Sequence, residues 1–581
     1  MSTDIAESHA ADHPPPSLRP NSLPPTRLEA IGLKPNALWL REMRQQMRLP
    51  RTPFALFALA LLFSLFICSV GGISATSHSD LATLGEVIFQ TYFSMANFIV
   101  LLVGPSIAAS SIALERESRT YEALVLTGLS PQEIVHGKFF SAMTMISLYI
   151  VFNAPIGAVA FIFGGITAFE VLLAFLLLLL FAALSVMFGL AVSSMTQSMR
   201  GALVATLLLA VIIGMPLFSL SWGLSAVAHQ IWSVVPSPFP VWLPLALSRV
   251  PFGLDYFSLL VFAPAACFVI PFWFFYNVAI SNLQSESEDR SSSHRLWLIG
   301  TSLLLLLGGL LAVRSITPSA SLGTAAGFFG LVWTFFIFLS FFFASEPPGP
   351  TRRVEFRWVR DRVPFWRKLF RPSLLNAQST VLFLFALVVA PVLLFGVVLH
   401  RGLTSSAGFS GSTSDDVKRI LLAVLFLSPF LLLSSGLNSF FRSKGNTAWR
   451  ARTLSFSTLF LLSIVPWVLY AIFGLANGHN KEILVLATPS PFFVFPLVES
   501  VNRGHEGLYA MAAIAGALFW SVIGLILLTI AHSRSRQSVA AEKTRLAEIE
   551  RILSNEDAAE IAADGAAAGS GLAAEPLAPQ A

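Results

Sequence analysis

The sequence predicts an all-α polytopic membrane protein. About twelve transmembrane helices form two parallel six-helix repeats behind an N-terminal interfacial helix. Composition is the first observation behind this. Hydrophobic residues make up 55% of the 581 residues, charged residues only 12%, and mean hydropathy is +0.73. A soluble domain carries about 25% charged residues. The second observation is a series of apolar runs of about 20 residues, each long enough to cross a bilayer as a helix. The third is a set of motifs that recurs in the same order 252 or 253 residues later. Pro236-Ser237-Pro238-Phe239, Pro244-Leu245 and Ser248 are followed by Pro489-Ser490-Pro491-Phe492, Pro496-Leu497 and Ser500.

Residues 1–35 are polar and Pro-rich and read as a disordered cytoplasmic tail, not a cleavable signal, because the first apolar run starts too late. Asn36–Arg48 is an amphipathic helix. Trp39, Leu40, Met43 and Met47 share one face, Arg41, Arg44, Gln45 and Arg48 the other, and Asn36 is the N-cap. Spans are expected at about 53–73, 86–113, 138–163, 169–195, 201–220 and 256–281. A second set follows at about 296–313, 322–345, 379–399, 418–441, 454–475 and 508–532. Thus 36–282 is a first six-helix half, 283–533 a diverged second half, and 534–581 a cytoplasmic tail that begins as a charged helix and ends Ala/Gly-rich and disordered. With the N-terminus inside, all but seven of the 37 Lys and Arg face the cytoplasm, which favours both termini inside. The net charge of +5 therefore reflects membrane-flanking loops and lipid headgroups, with no nucleic-acid partner implied. Cys68 and Cys267 lie in apolar runs and read as small buried thiols.

The polar stretch between the second and third spans, Leu114–Phe139, is the most informative part of the chain. It reads as a short helix, a break at Gly128–Pro131, and a second helix entering the bilayer, with Ser130-Pro131 at its start. It carries Glu115-Arg116-Glu117, then Thr120, Glu122 and Leu124, then Pro131 and Gly137-Lys138. In order and place these residues resemble the cytoplasmic coupling segment of an ABC transporter permease of the ABC-2 (type-2 exporter) class. Arg119 departs from the pattern, since the family often has Gly before the Thr. Permeases of this class begin with an elbow helix, so the resemblance extends to 36–48. It is clear over about 36–282 and faint over 283–533. The second half has Glu346-Pro347-Pro348-Gly349-Pro350 and a basic run where the signature would stand. A second coupling site is therefore expected to be altered or lost.

The resemblance implies a permease subunit of the plasma (inner) membrane, most simply an exporter, driven through Glu115, Arg116, Glu117, Thr120, Glu122, Gly137 and Lys138. It also implies a repeat that joins a whole transmembrane unit in one chain, where simpler members dimerise. Any ATPase must be a separate subunit that binds ATP and Mg²⁺. A phosphate loop needs G-x-x-x-x-G-K-[ST], but Phe139 follows Gly137-Lys138 and no Gly stands five residues earlier. The chain is thus expected to be no enzyme and to bind no cofactor. His136, His400 and His505 stand in the loop or near membrane edges, without metal spacing. Asn97 and Asn153 are candidate pathway residues, weighed against a role as interhelical hydrogen-bond partners. Pro236, Pro238, Pro489 and Pro491 are candidate external-gate positions in re-entrant caps, with ordinary loops as the alternative. Two other classes compete, a twelve-helix secondary carrier and a non-transporting scaffold of an envelope complex. A carrier would bury ionisable residues at the midplane, and the predicted span centres hold none. The substrate is not legible.

Overall fold

A computed structural model describes residues 36–571. Breaks fall at 49–50, 78–80, 234–240, 286–287, 316–320, 407–411, 478–481 and 502–505, and over most of 348–372. Pro236, Pro238, Arg357 and Pro372 lie outside the described residues, as do the termini. Among the described residues there are helices and no strands, and eleven helices are long and apolar enough to cross a membrane.

The first half comprises α1 (Ala37–Met47), α2 (Arg51–Ser77), α3 (Leu81–Glu117), α4 (Tyr121–Leu126), α5 (Pro131–Phe163), α6 (Ala168–Met195), α7 (Met199–Ile231), α8 (Leu243–Arg249) and α9 (Leu254–Leu283, with a π turn at Phe257–Phe262). The second comprises α10 (Ser291–Ser315), α11 (Ser321–Phe342), α12 (Leu374–Ser406), α13 (Ser412–Ser443), α14 (Ala448–Asn477), α15 (Val494–Ser500) and α16 (Glu506–Gly571). Each expected span coincides with one of these helices. The fifth, α7, has Met199–Gly214 as its apolar part among the described residues, and the other eleven meet the full length. The helices begin where the local chemistry says they should. Ser130 and Thr167 form capping boxes with Glu133 and Glu170, and Pro131 takes the first helical position of α5.

The same packing scheme serves both halves. In the first, α6 is the hub and meets α3, α5, α7 and α9; in the second, α13 meets α11, α12, α14 and α16. Glycines permit the closest approaches. A Cβ on Gly189 would come 2.3 Å from the Pro105 carbonyl oxygen of α3, and one on Gly436 would come 2.7 Å from the Gly524 oxygen of α16. Gly104 and Gly157 are packing positions too, against Ser185 and the Tyr92 ring. The motifs that recur along the chain fold alike. Pro244, Leu245 and Ser248 lie on the short helix α8, and Pro496, Leu497 and Ser500 on α15. In each the leucine is fully buried and the serine donates to its carbonyl.

The halves meet head to tail, and this departs from the symmetric unit the repeat suggested. Helix α9 packs on α10, while the reciprocal pair, α16 on α2, shows no comparable packing among the described residues. A two-fold arrangement requires both contacts. Two local expectations also change. Cys68 and Cys267 are exposed on the outer surface of their helices, where an apolar bilayer suits a thiol as well as a core does. Helix α16 runs unbroken to Gly571, through the stretch expected to be disordered. Its Ala-rich composition explains this, because Ala is the strongest helix former.

Candidate functional site

The segment between α3 and α5 is held at both ends and stands off in the middle. Where α3 ends, the Glu115 carboxylate accepts from Arg41 of α1 at 2.8 Å and lies 3.2 Å from the Lys138 ammonium of α5. Lys138 also reaches Glu42 at 2.9 Å and the Ser111 carbonyl at 3.0 Å. Its side chain is 1% exposed, so two carboxylates and a carbonyl replace the water it has lost. Arg116 donates to the Ser194 and Thr196 carbonyls at the end of α6 (2.7 and 3.3 Å) and to the Asn282 carbonyl of α9 (3.4 Å). Glu117 accepts from the Met199 N–H at 2.7 Å, a carboxylate at the positive end of α7. The three signature charges are thus turned toward neighbouring helices.

Gly137 is where α1 lies against α5. A Cβ there would come within 2.9 Å of Asn36 Oδ1 and of Leu38 Cβ. Asn36 caps α1 through Leu38 N–H and donates its amide to the Glu133 carbonyl, and Trp39 donates to Thr144. The Gly137-Lys138 pair therefore seats the N-terminal helix, a role its spacing alone did not disclose.

Between these anchors, Arg119 adopts φ +57°, and Gly128 adopts φ +77°. The left-handed region suits glycine, the residue that the resemblance leads us to expect where Arg119 stands. The turns project α4 outward. Thr120, Glu122, Val125 and Leu126 are exposed, Leu126 at 86%, while Leu124 is buried and anchors the inner face. Tyr121 lies beside the Arg116 guanidinium, and burial pushes its phenol above the ordinary range.

The candidate pathway residues separate. Asn153 is buried, donates to the Tyr149 carbonyl, and lines a cavity of about 30 Å³ with Tyr92, Gly104 and Ile146. Its Oδ1 has no partner. Asn97 is half-buried and is not part of the lining. Of the candidate gate positions, Pro491 is buried at the head of a 3-10 turn, and Pro489 is half-buried just before it.

Two ion clusters escaped the sequence reading. On the face opposite α4, Arg249 at the end of α8 donates to Glu170 (2.7 Å), Glu86 (2.9 Å) and the Gly165 carbonyl (2.7 Å), and Ser248 adds a bond to Glu170. Burial works against the Arg249 charge, but the two carboxylates outweigh it and hold the guanidinium above its usual value. In the second half, Arg295 and Glu346 form a buried pair, and Glu346 also accepts from the Ser373 N–H. The charges were visible in the sequence as ends of apolar runs. Their partners, 79 and 51 residues distant, were not.

Comparison with known proteins gives one family. Residues 74–276 match the model described as ABC-2 family transporter protein. Residues 74–276 thus form an ABC-2 family transporter domain. The match covers α3 to α9 almost entirely, including the segment around α4, and stops before the second half of the permease. No curated protein and no solved structure matches. With this domain and eleven apolar helices of spanning length among the described residues, the protein is an integral membrane transport permease.

Proposed function

We propose that this permease is the membrane subunit of an ABC exporter in the plasma (inner) membrane, with both termini cytoplasmic. Separate ATPase subunits, carrying ATP and Mg²⁺, drive it through the segment 114–138. The observation that carries this reading is the exposed tip of α4, set between two anchored helix ends. An exposed apolar pair, Val125 and Leu126, beside a solvated Glu122 suits docking into a groove on a partner. The anchors give the docked helix leverage, since α3 and α5 must move with it. Division of labour follows. Glu122, Val125 and Leu126 meet the ATPase, with Thr120 at the start of α4, whereas Glu115, Arg116, Glu117, Gly137 and Lys138 pass its motion inward.

The described buried charges favour this over a secondary carrier. Lys138, Glu170, Arg295 and Glu346 all sit at helix ends in ion pairs, not at mid-membrane. The test is to purify the permease from its native membrane and identify the ATPase that accompanies it. Leu126→Asp should lower ATPase recovery at least tenfold while leaving membrane insertion and thermal stability intact. Full recovery with Leu126→Asp would remove α4 as the docking point. ATP hydrolysis by the permease alone would remove the separate subunit.

A further inference from the structure

The last turns of α9 hold on to both halves with adjacent residues. Toward the first half, the Tyr276 hydroxyl lies 3.0 Å from His136 Nε2, the Asn282 amide donates to Ser194 Oγ at 3.0 Å, and the Asn282 carbonyl accepts from Arg116. Toward the second, the Asn277 amide donates to the Ser293 carbonyl at 3.2 Å, and Ser281 Oγ lies 3.1 Å from His294 Nε2. Trp297 completes this side by donating to the Ile270 carbonyl. Tyr276 and Asn277, and likewise Ser281 and Asn282, are neighbours about 100° apart around the helix, so one rod presents a polar edge to each half.

Each edge leads to a buried corner. Arg116 and Asn282 share the end of α6, which also carries Ser193, bonded to α3 at the Ala109 carbonyl and the Ala113 N–H. Beside His294 stands Arg295, wholly buried. It pairs with Glu346 at the end of α11 and donates to the Ser373 carbonyl ahead of α12. Arg442 of α13 donates to the Glu346 carbonyl, and Arg452 of α14 to the Phe341 and Phe342 carbonyls. Polar bonds at the cytoplasmic helix ends thus run from the base of α4 through α9 to α11–α14.

We propose that the cytoplasmic end of α9 is the joint through which the second half is moved. ATPase action on α4 enters the first half alone. Arg116 and Asn282 pass it to α9, and Asn277 and Ser281 pass it to α10 and the Arg295–Glu346 corner. This rests on the drive proposed above for α4. It explains how a second half without the Glu-Arg-Glu signature, attached head to tail, takes part in the cycle. The side chains named are positioning residues. Packed helices joined by such bonds shift as units between discrete arrangements.

The test follows the two halves separately in the complex of permease and co-purified ATPase. Spin-label pairs are placed on exposed sites outside the docking tip, Gln132 with Arg200 for the first half and Trp449 with Gln537 for the second. Distances are measured with and without a non-hydrolysable ATP analogue. In the parent protein both pairs should shift. In Asn277→Ala/Ser281→Ala the first should shift as before and the second should lose at least half its change. Ser281→Thr, which keeps the hydroxyl, should behave as the parent. Tyr276→Phe/Asn282→Ala, which removes both side-chain bonds of the other edge and leaves it only the backbone bond from Arg116, should also reduce the shift of the second pair by at least half. A second pair that moves fully in both loss variants overturns the proposal, as does one that never moves while the first does. A first pair that stays fixed, with ATPase bound, rejects the α4 drive and this relay with it.

Discussion

Arg119 shows how one backbone angle carries information. At φ +57° a side chain with a Cβ costs about 1 kcal/mol or more relative to the right-handed region. Arg119→Gly should therefore stabilise the permease, by a gain held below that figure because glycine also loosens the unfolded chain. Arg119→Ala removes the same guanidinium without relieving the strain. Thermal unfolding in detergent should rank Gly above both Arg and Ala; equal gains from Gly and Ala would assign the effect to the charge instead. This position was legible in the sequence as a departure from a family pattern. The partners of Glu115 were not, because Arg41 and Lys138 are brought to it by the folding of α1 onto α5. At an apolar boundary a charge looks the same whether it anchors to lipid headgroups or to another helix.

Among the elements, the short helices α8 and α15 repay comparison. They share the Pro-Leu-x-x-Ser face, yet the next residue is Arg249 in one and Val501 in the other. The first is clamped by charge to α3 and α6; the second packs with Leu497 buried and Phe493 against Tyr509. Arg249→Met would leave Glu170, 1% exposed, without its cation. A loss of about 3 kcal/mol is expected, the lower end for breaking a buried pair because Arg249 itself is partly solvated. Arg249→Lys should recover little of it, since one ammonium cannot reproduce a fork that meets two carboxylates and a carbonyl. Unfolding midpoints of the two variants decide this, and a lysine that restores the parent midpoint would refute the forked clamp. The Arg249 charge persists at any working pH, being raised above its ordinary value. Only acid, by protonating the carboxylates, can loosen the clamp. Element boundaries were legible almost throughout, because hydropathy and capping residues mark them directly. The extension of α16 was missed because its Ala-rich stretch resembles a low-complexity tail.

For the whole molecule, the charge distribution predicts that both termini and α4 share the cytoplasmic side. Cysteines at Val485 and Pro240 should react with an impermeant reagent on intact cells, and one at Arg360 should react after lysis alone. Reaction of Arg360→Cys from outside would invert the topology. The order of packing was implicit in the repeated motifs. The placement of one half against the other was not, because a repeat in sequence specifies what each half is and leaves open which surfaces meet.

The head-to-tail union has an evolutionary corollary. In an assembly of two identical chains, every mutation strikes both walls at once, so a change useful on one side is imposed on the other. Here a single codon touches one wall. Arg249 has been kept or acquired opposite a valine, and the Glu-Arg-Glu run at 115–117, proposed above as part of the drive, has no counterpart in the second half. Inheritance can therefore tune the two sides separately, and drift in residues 283–571 need not be matched by drift in the first half.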